Sequence, residues 1–450
     1  MYSMLVTLGV LQALRIKRRS LDKKPIVFVP GLFGSMSNEI MPGTGSWKFG
    51  MAGAIYEPFI KTLESLGYIR QKNLFVAYYD WRKDCNTAAE RYLKKTIVQA
   101  KKTTGSKQVD VICHSMGGLV ARAYAQSEEY EKDIDNLIMI ATPNAGAVNA
   151  YYFWAGGEPP YSGDLKSNLL RTLMEGYLWM LKKYYGMEND IETIHKHILG
   201  ARDLLPGEKY GHYLYQLGSG NRMKFIPYSS LRNQNHFIDK LNQRKELLSQ
   251  RGIQTTLIGA KGIETNQYLQ VDKNIQDDTG RWGDGKVIDA YSSGEGDGTV
   301  MLKSALAIHG DTYIFEENHT DILKKCEYVI KRKLGIVETT KTVEQEQLHK
   351  GHISILIEGN GEVAVKHAVD RAVYTIYSEK EKRVGVYQQS FGPRLQWILI
   401  ANPVDTSHHL DFHAKTNDIL NMHIHQSSGQ SYKIEGKEVI EGKNYRIPIQ

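Results

Sequence analysis

The feature that most constrains this chain is a serine at a sharp turn between an apolar strand and a helix. Residues 109–119 read Val-Asp-Val-Ile-Cys-His-Ser-Met-Gly-Gly-Leu, and Ser115 stands where the strand ends. Small residues two positions on either side of the serine keep Cβ atoms from colliding, although Cys113 stands where a glycine is usual. The pattern predicts a nucleophile elbow, which lifts the serine hydroxyl clear of the sheet.

Short β-branched runs alternate with longer helical stretches from Lys24 to about Arg332, which is typical of a largely parallel sheet covered by helices. The candidate strands are Ile26–Val29, Leu74–Tyr78, Val109–Cys113, Leu137–Ala141, Thr255–Gly259 and Thr312–Glu316. The strand rhythm stops between Ala150 and Gln250, where a Tyr- and Leu-rich helical insert is expected to cap the carboxyl edge of the sheet.

A second domain is expected at the C-terminal end. Short alternating segments separated by Gly, Asn, Asp and Ser follow a polar passage at Lys341–His349, as in an antiparallel sandwich. The predicted organisation is an apolar and basic segment (1–23), an α/β domain (24–335) with a cap at about 150–250, a linker (336–350) and a β-sandwich (351–450).

Composition excludes several classes of function. The net charge of +7 is modest for 450 residues, and no Lys/Arg stripe interleaved with aromatic residues marks a nucleic-acid surface. Cys85, Cys113 and Cys326 are odd in number and widely spaced, which argues against disulfides and favours a reducing, cytoplasmic location. The C-terminal histidines lack the spacing of metal ligands, so no metal or cofactor site is predicted.

The N-terminal segment is apolar from Met1 to Leu14 and is followed by Arg15-Ile-Lys-Arg-Arg19. This order is the opposite of a secretory signal, and about 14 apolar residues are too few to span ~30 Å of hydrocarbon as a helix. Two interpretations stay open: an interfacial anchor with a basic foot, giving peripheral membrane contact, or a helix packed on the domain.

A serine nucleophile needs a base, and the base needs a third group that holds it in the right tautomer. Asp297, on the glycine-flanked loop Gly-Glu-Gly-Asp-Gly-Thr-Val, is the candidate acid, with Glu295 as the alternative. His319 follows the last strand and is the candidate base. His309 precedes that strand and so lies at the wrong end of the sheet, while His114 points into the elbow and cannot act as the base.

An oxyanion needs two backbone N–H donors, and the residue after the nucleophile supplies one of them. That residue is Met116. The second donor is expected on the loop Val-Pro-Gly-Leu-Phe-Gly-Ser after the first strand, where Gly31 lets the backbone turn. Leu32 is the favoured donor and Phe33 the next.

The segment from Leu66 to Arg82 resembles the lecithin:cholesterol acyltransferase family of α/β-hydrolases, and Tyr79-Asp80-Trp81-Arg82 is its specific part. In that family this signature precedes the nucleophile strand, after a V-P-G loop and ahead of G-D-G-T-V and a histidine followed by a small helix. The sequence has all of these in order over about residues 24 to 330. The resemblance implies an α/β-hydrolase fold and acyl transfer from lipid esters through a serine ester.

The resemblance also implies a mobile lid carrying a tryptophan, which corresponds here to Trp47 in the Gly-rich stretch Ser37–Gly50. Asp80 and Arg82 are expected to form a bidentate pair, while Trp81 packs in the protein or contacts lipid. Extracellular family members carry a lid disulfide that this chain lacks. The C-terminal sandwich lies outside the resemblance.

The residues and the resemblance together predict a serine hydrolase or O-acyltransferase that acts on lipid esters, with Ser115, His319 and Asp297 as its catalytic groups. A general carboxylesterase or triacylglycerol lipase is the alternative within the enzymes. A non-enzymatic lipid-binding protein on a hydrolase fold is the alternative outside them, but such proteins usually lose one catalytic residue, and here none is missing.

Overall fold

A computed structural model of the protein describes residues 23–36, 47–158, 167–275, 281–336, 351–369, 372–377, 385–401, 403, 408–427 and 430–449. The chain forms two compact units. The first comprises Met1–Leu32, Ile55–Glu158 and Ile194–Thr340, and the second comprises Phe33–Ala54, Pro159–Thr193 and Lys341–Gln450. The predicted N-terminal segment and linker, except for Lys23 and Ile336, lie outside the described residues, as does most of the predicted lid.

Ten strands belong to the first unit. They are β1 (Ile26–Val29), β2 (Leu74–Val76), β3 (Val109–His114), β4 (Ile134–Ile140), β5 (Leu214–Leu217), β6 (Met223–Phe225), β7 (Gln254–Lys261), β8 (Thr265–Asp272), β9 (Lys286–Ser293) and β10 (Asp311–Glu316). Six of them form one parallel sheet in the order β10-β7-β4-β3-β1-β2. All six predicted strands are in this sheet, with ends that differ by up to three residues.

The α-helices among the described residues are α1 (Gly53–Ser65), α2 (Cys85–Ala88), α3 (Lys94–Thr104), α4 (Met116–Ala125), α5 (Ser167–Tyr185), α6 (Asp190–His197), α7 (His236–Gln243), α8 (Leu247–Gln250), α9 (Leu302–Ala305), α10 (Ile322–Lys325) and α11 (Glu327–Lys333). Both α3 and α4 pack on the parallel sheet. Every residue of β1 and β3 is buried, as expected for strands covered on both faces. This architecture confirms the predicted α/β-hydrolase fold class.

The first unit contains a second sheet that the sequence analysis missed. Its four strands lie in the order β6-β5-β8-β9, and two of them, β5 and β6, fall inside the insert that was expected to be mainly helical. The expectation that the insert contains no strands was wrong, because residues 214–225 pair as a short antiparallel hairpin. Both strands have only three or four residues, too few for an alternating pattern to stand out in the sequence.

The C-terminal region is an antiparallel β-sandwich, as predicted. Its strands are β11 (His352–Glu358), β12 (Gly361–Val369), β13 (Ala372–Tyr377), β14 (Val386–Phe391), β15 (Leu395–Ala401), β16 (His408–Ala414), β17 (Asp418–Gln426), β18 (Ser431–Val439) and β19 (Asn444–Ile449). They form a five-stranded and a four-stranded sheet, and apolar side chains from both enclose one core, for example Ile355, Ile398, Leu410 and Phe412. The alternating segments in the sequence lie at 353–357, 363–365, 372–377, 384–387, 395–400, 421–425 and 445–449, so β16 and β18 were not predicted.

The second unit also contains α5, which packs on β11. Thr172 Oγ1 and His352 Nε2 are 3.0 Å apart, and a Cβ added to Gly176 would lie 2.5 Å from the Trp397 ring. By their contacts, the described residues 167–193, which belong to the predicted cap, group with the sandwich.

Within the described part of the chain, no helix has the length and apolar character needed to cross a membrane. The same residues contain no group of three or more His, Cys, Asp or Glu side chains placed to hold a metal ion. The three cysteines are free and buried.

Candidate active site

Ser115 lies between β3 and α4 with φ 53° and ψ −128°, a conformation that non-glycine residues rarely adopt. The strain is maintained by close packing on both sides of the turn. A Cβ on Gly117 would lie 2.3 Å from the Val29 carbonyl oxygen, and one on Gly118 would lie 2.0 Å from Thr142 Oγ1. Larger residues at these positions would push the turn away from the sheet, so the glycines keep the serine at the carboxyl edge.

Cys113 replaces the usual elbow glycine without disturbing the strand. Its thiol is fully buried and lies 3.3 Å from the Ile138 carbonyl oxygen on the neighbouring strand, to which it donates a weak hydrogen bond. Burial raises the pKa of this thiol. Cys113 is therefore a small apolar residue in this structure and not a second nucleophile.

Asp297 is held on its loop by backbone donors. Its Oδ1 accepts from the amides of Thr299 at 2.9 Å and Val300 at 2.7 Å, which leaves Oδ2 directed at His319. The following residue, Gly298, has φ +89°, a value that favours glycine. Asp297 is buried, whereas the alternative acid Glu295 is exposed.

The imidazole of His319 bridges the acid and the serine. Its Nδ1 lies 2.8 Å from Asp297 Oδ2, and its Nε2 lies 2.9 Å from Ser115 Oγ. Since an ionised carboxylate can only accept, Nδ1 carries the proton, and Nε2 is free to accept from the serine hydroxyl. The structure brings together the three side chains that the sequence analysis selected, each on a loop at the carboxyl edge of the sheet.

The competing histidine, His309, is exposed and lies 3.4 Å from Glu246 Oε1. It takes no part in the arrangement around Ser115. His114 does not act as the base, as expected, but its ring makes hydrogen-bond contacts near the site. Its Nε2 lies 2.8 Å from the carbonyl oxygen of His319, and its Nδ1 lies 3.0 Å from the hydroxyl of Tyr56.

Burial, and next the nearby His319, lower the pKa of His114 to about 3, so its ring is neutral at physiological pH. The sequence analysis considered His114 only as a base and did not consider Tyr56 at all. Tyr56 carries no distinguishing signal, because its spacing with Phe59, Ile60 and Leu63 is that of an ordinary buried helix face.

The loop after β1 approaches the serine closely. A Cβ on Gly31 would lie 2.9 Å from the Ser115 Cβ, so only glycine allows this approach. Tyr79 donates its hydroxyl hydrogen to the Pro30 carbonyl oxygen at 2.9 Å and so fixes the start of the loop. Leu32 is half-buried, and Met116 is the first residue of α4, where amide N–H groups have no intrahelical acceptor.

Asp80 and Arg82 form the expected bidentate pair. The Arg82 Nε donates to Asp80 Oδ1 at 2.6 Å and Nη2 donates to Oδ2 at 2.9 Å, with both side chains buried. Trp81 is 2% exposed, so it packs in the protein and does not contact lipid. A Cβ on Gly200 would lie 2.3 Å from the Trp81 carbonyl oxygen and 2.8 Å from the Met116 side chain, which places the segment next to the elbow.

Removing one partner of this pair should destabilise the protein strongly. Arg82→Met leaves the Asp80 carboxylate buried without its guanidinium partner, and the expected loss in the free energy of unfolding is about 3–5 kcal/mol. The double variant Asp80→Asn/Arg82→Met should lose less, because it removes both charges. Urea denaturation of the wild type, Arg82→Met, Asp80→Asn and the double variant measures the difference, and a double variant whose loss equals the sum of the two single losses would contradict this account.

Trp47 is half-buried in the second unit. Of the glycines in the stretch Ser37–Gly50, Gly50 has φ +55°, whereas Gly43 and Gly45 lie outside the described residues. The lid therefore stays a prediction.

Comparison with known proteins confirms the resemblance for part of the chain. Residues 48–177, which include Tyr79–Arg82 and Ser115 but not Asp297 or His319, match the lecithin:cholesterol acyltransferase family. Phospholipase A(1) LCAT3 of Arabidopsis thaliana is 35% identical over 95 residues, 20% of this chain and 21% of the relative. Lecithin-cholesterol acyltransferase-like 4 of the same plant is 35% identical over 85 residues, 18% of this chain and 16% of the relative. The chain thus matches about a fifth of the length of these relatives.

Two solved structures are similar over most of the chain. The lipase BlEst2 of Bacillus licheniformis in its propeptide form has 10% sequence identity and a TM-score of 0.38, covering 94% of this chain and 96% of that one. Phospholipase PlaB from Legionella pneumophila has 11% identity and a TM-score of 0.34, covering 92% and 89%.

Proposed function

We propose that this protein is a serine-dependent enzyme that hydrolyses lipid esters or transfers their acyl group to an alcohol. One observation carries the proposal: the unbroken line of hydrogen bonds from Ser115 Oγ through the His319 imidazole to the Asp297 carboxylate. Such a line converts a weakly nucleophilic hydroxyl into one that attacks a carbonyl carbon. The match of residues 48–177 to the lecithin:cholesterol acyltransferase family supports the choice of a lipid ester.

In the first half-reaction, Ser115 Oγ forms a bond to the ester carbonyl carbon while its proton passes to His319 Nε2. The imidazolium that forms is stabilised by Asp297, whose backbone donors keep the carboxylate in place. When the tetrahedral intermediate collapses, the bond to the leaving alcohol breaks and His319 returns the proton to that oxygen. The acyl group is then an ester of Ser115.

In the second half-reaction, water or a lipid alcohol attacks the acyl ester, with His319 again taking and returning the proton. Water gives a free fatty acid, and an alcohol gives a new ester. Amides of Met116 and Leu32 are the proposed donors to the oxyanion in both halves. Met116 is supported by its place at the start of α4, and Leu32 by its place directly after Gly31, whose backbone passes the serine.

A general carboxylesterase or triacylglycerol lipase uses the same three side chains, so it is the second candidate.

We further propose that the protein is cytoplasmic and contacts membranes peripherally. The three free, buried cysteines are consistent with a reducing compartment, and the net charge of +7 favours anionic lipid surfaces. Under this proposal, Trp47 belongs to a lid that meets the lipid.

The test uses the purified full-length protein with vesicles of mixed phospholipid and neutral lipid, with and without a long-chain alcohol or sterol. Mass spectrometry of the products separates the candidates. Lysophospholipid with free fatty acid indicates a phospholipase, and lysophospholipid with an acylated alcohol in place of the fatty acid indicates a transferase.

Ser115→Ala is the control in each of these incubations, because it should yield none of the products. Cleavage of neutral lipid alone would favour the second candidate. If the wild-type protein cleaves no lipid and no soluble ester, the proposed enzyme activity is wrong.

A further inference from the structure

A buried line of hydrogen bonds joins the loop after β1 to the main chain of His319. The Gly31 amide donates to the Tyr56 hydroxyl oxygen at 2.9 Å, and that hydroxyl lies 3.0 Å from His114 Nδ1. On the other side of the ring, His114 Nε2 lies 2.8 Å from the His319 carbonyl oxygen. Tyr56 and His114 are each 2% exposed, so these bonds are shielded from water.

The proton positions along this line follow from the chemistry of the groups. A carbonyl oxygen only accepts, so His114 Nε2 carries a hydrogen and donates to His319. In a neutral imidazole the other nitrogen then accepts, so the Tyr56 hydroxyl donates to His114 Nδ1. The Tyr56 oxygen in turn accepts from Gly31. Each bond in the line thus has a defined donor and a defined acceptor, and removing the Tyr56 hydroxyl or the His114 imidazole interrupts the line.

Both ends of the line touch groups of the proposed mechanism. The His319 amide donates to the Asp297 carbonyl oxygen at 2.9 Å, so His114 completes the anchoring of both main-chain polar groups of the base. At the other end, a Cβ on Gly31 would lie 3.0 Å from the Tyr56 hydroxyl and 2.9 Å from the Ser115 Cβ. The rings of His114 and His319 are also in contact, with centroids 4.9 Å apart.

We propose that Tyr56 and His114 are positioning residues that fix the loop carrying the oxyanion donor relative to the base His319. The assignment rests on the proposed function, since it gives these two side chains a role in the same reaction. It also narrows the choice of oxyanion donor. The Gly31 amide is engaged by Tyr56, so the donor from this loop lies further along the chain, where Leu32 is the proposed donor and Phe33 the alternative.

The test compares Tyr56→Phe, His114→Phe and the double variant on a short soluble ester, p-nitrophenyl butyrate. Displacing catalytic groups by a fraction of an ångström to 1 Å costs up to 10²-fold, so kcat should fall about 10- to 100-fold in each single variant. Because substrate binding does not depend on the line, KM should change by less than about 3-fold. The double variant should lose no more than the worse single one, since both residues act through one line.

His114→Gln provides the conservative comparison. Its amide nitrogen can still donate to the His319 carbonyl oxygen, so it should retain about ten times more activity than His114→Phe. The matched control is Tyr151→Phe. It removes another buried tyrosine hydroxyl, which donates to the Gly285 carbonyl oxygen at 2.8 Å and has no bond in the line from Gly31 to His319. Its kcat should equal that of the wild type.

Turnover is expressed per active site titrated with a fluorophosphonate probe, so that misfolded protein does not count. Tyr56→Phe keeps the ring and its packing. If His114→Phe fails to fold, the kcat of Tyr56→Phe tests the positioning role. A kcat of Tyr56→Phe equal to that of Tyr151→Phe, together with an equal kcat of His114→Phe where that variant folds, would overturn the assignment alone. A wild-type protein that neither reacts with the probe nor cleaves the ester would overturn the proposed function as well.

Discussion

Replacing Ser115 with alanine is expected to abolish labelling by a fluorophosphonate probe and to lower kcat on any ester by about 10⁴- to 10⁶-fold. The variant loses the atom that forms the acyl ester, while the His319–Asp297 hydrogen bond at 2.8 Å persists. The fold should be preserved, because alanine adds no atoms to a turn that already tolerates a Cβ. Gel detection of the probe and steady-state kinetics measure both effects.

The matched control is Ser127→Ala, which removes a serine two residues beyond α4, whose hydroxyl donates to the Tyr124 carbonyl oxygen. This variant should label and turn over like the wild type. Labelling that persists in Ser115→Ala would show that another residue is the nucleophile and would end the proposed mechanism.

Asp297→Asn should lower kcat by about 10³- to 10⁴-fold at neutral pH with little change in stability. An asparagine can keep its oxygen on the amides of Thr299 and Val300 and then presents its NH₂ group to His319 Nδ1. His319 Nδ1 must then accept a hydrogen bond, so the ring proton moves to Nε2. With that proton, Nε2 can no longer accept from Ser115. The expected defect is one of tautomer and not of folding.

Glu295→Gln is the control variant for Asp297→Asn, because Glu295 is an acid only two residues from Asp297 but is exposed. Its kcat should stay within about threefold of the wild type, as surface substitutions usually have small effects. Equal thermal unfolding of both variants, measured by circular dichroism, shows that the kinetic difference is local. A larger loss in Glu295→Gln than in Asp297→Asn would exchange the roles of the two acids.

The sequence was most informative where the chain conformation is under strict steric control. An apolar strand followed by Cys-His-Ser-Met-Gly-Gly is compatible with few backbone conformations. The predicted parallel strands on either side indicated the edge of the sheet at which Asp297 and His319 should lie. Isolated short strands such as β5 and β6 have no comparable pattern, because three or four residues do not define a period. In the structure, β6 pairs with β5, and β5 in turn pairs with β8.

The side chains that support the site were harder to find than those that form it. Tyr56 lies on a helix face whose apolar spacing is fully explained by burial, and only the structure reveals its hydroxyl between Gly31 and His114. Residues so far apart in the chain leave no local signature. Asp80 and Arg82 are the opposite case, since a pair two residues apart could be proposed from the sequence and is present at hydrogen-bond distance.

The ribosome synthesises α5 long before the sandwich strand on which this helix packs. Helix α5 ends at Tyr185, yet β11, the strand on which it packs, begins at His352. At 5–20 residues per second, a ribosome needs roughly 8–30 s to produce the intervening chain. During that interval Thr172 and Gly176 have no His352 or Trp397 to contact. In a nascent chain of this protein, the face of α5 that packs on β11 therefore has no partner strand for many seconds, and we expect that face to be a site of aggregation if folding is delayed.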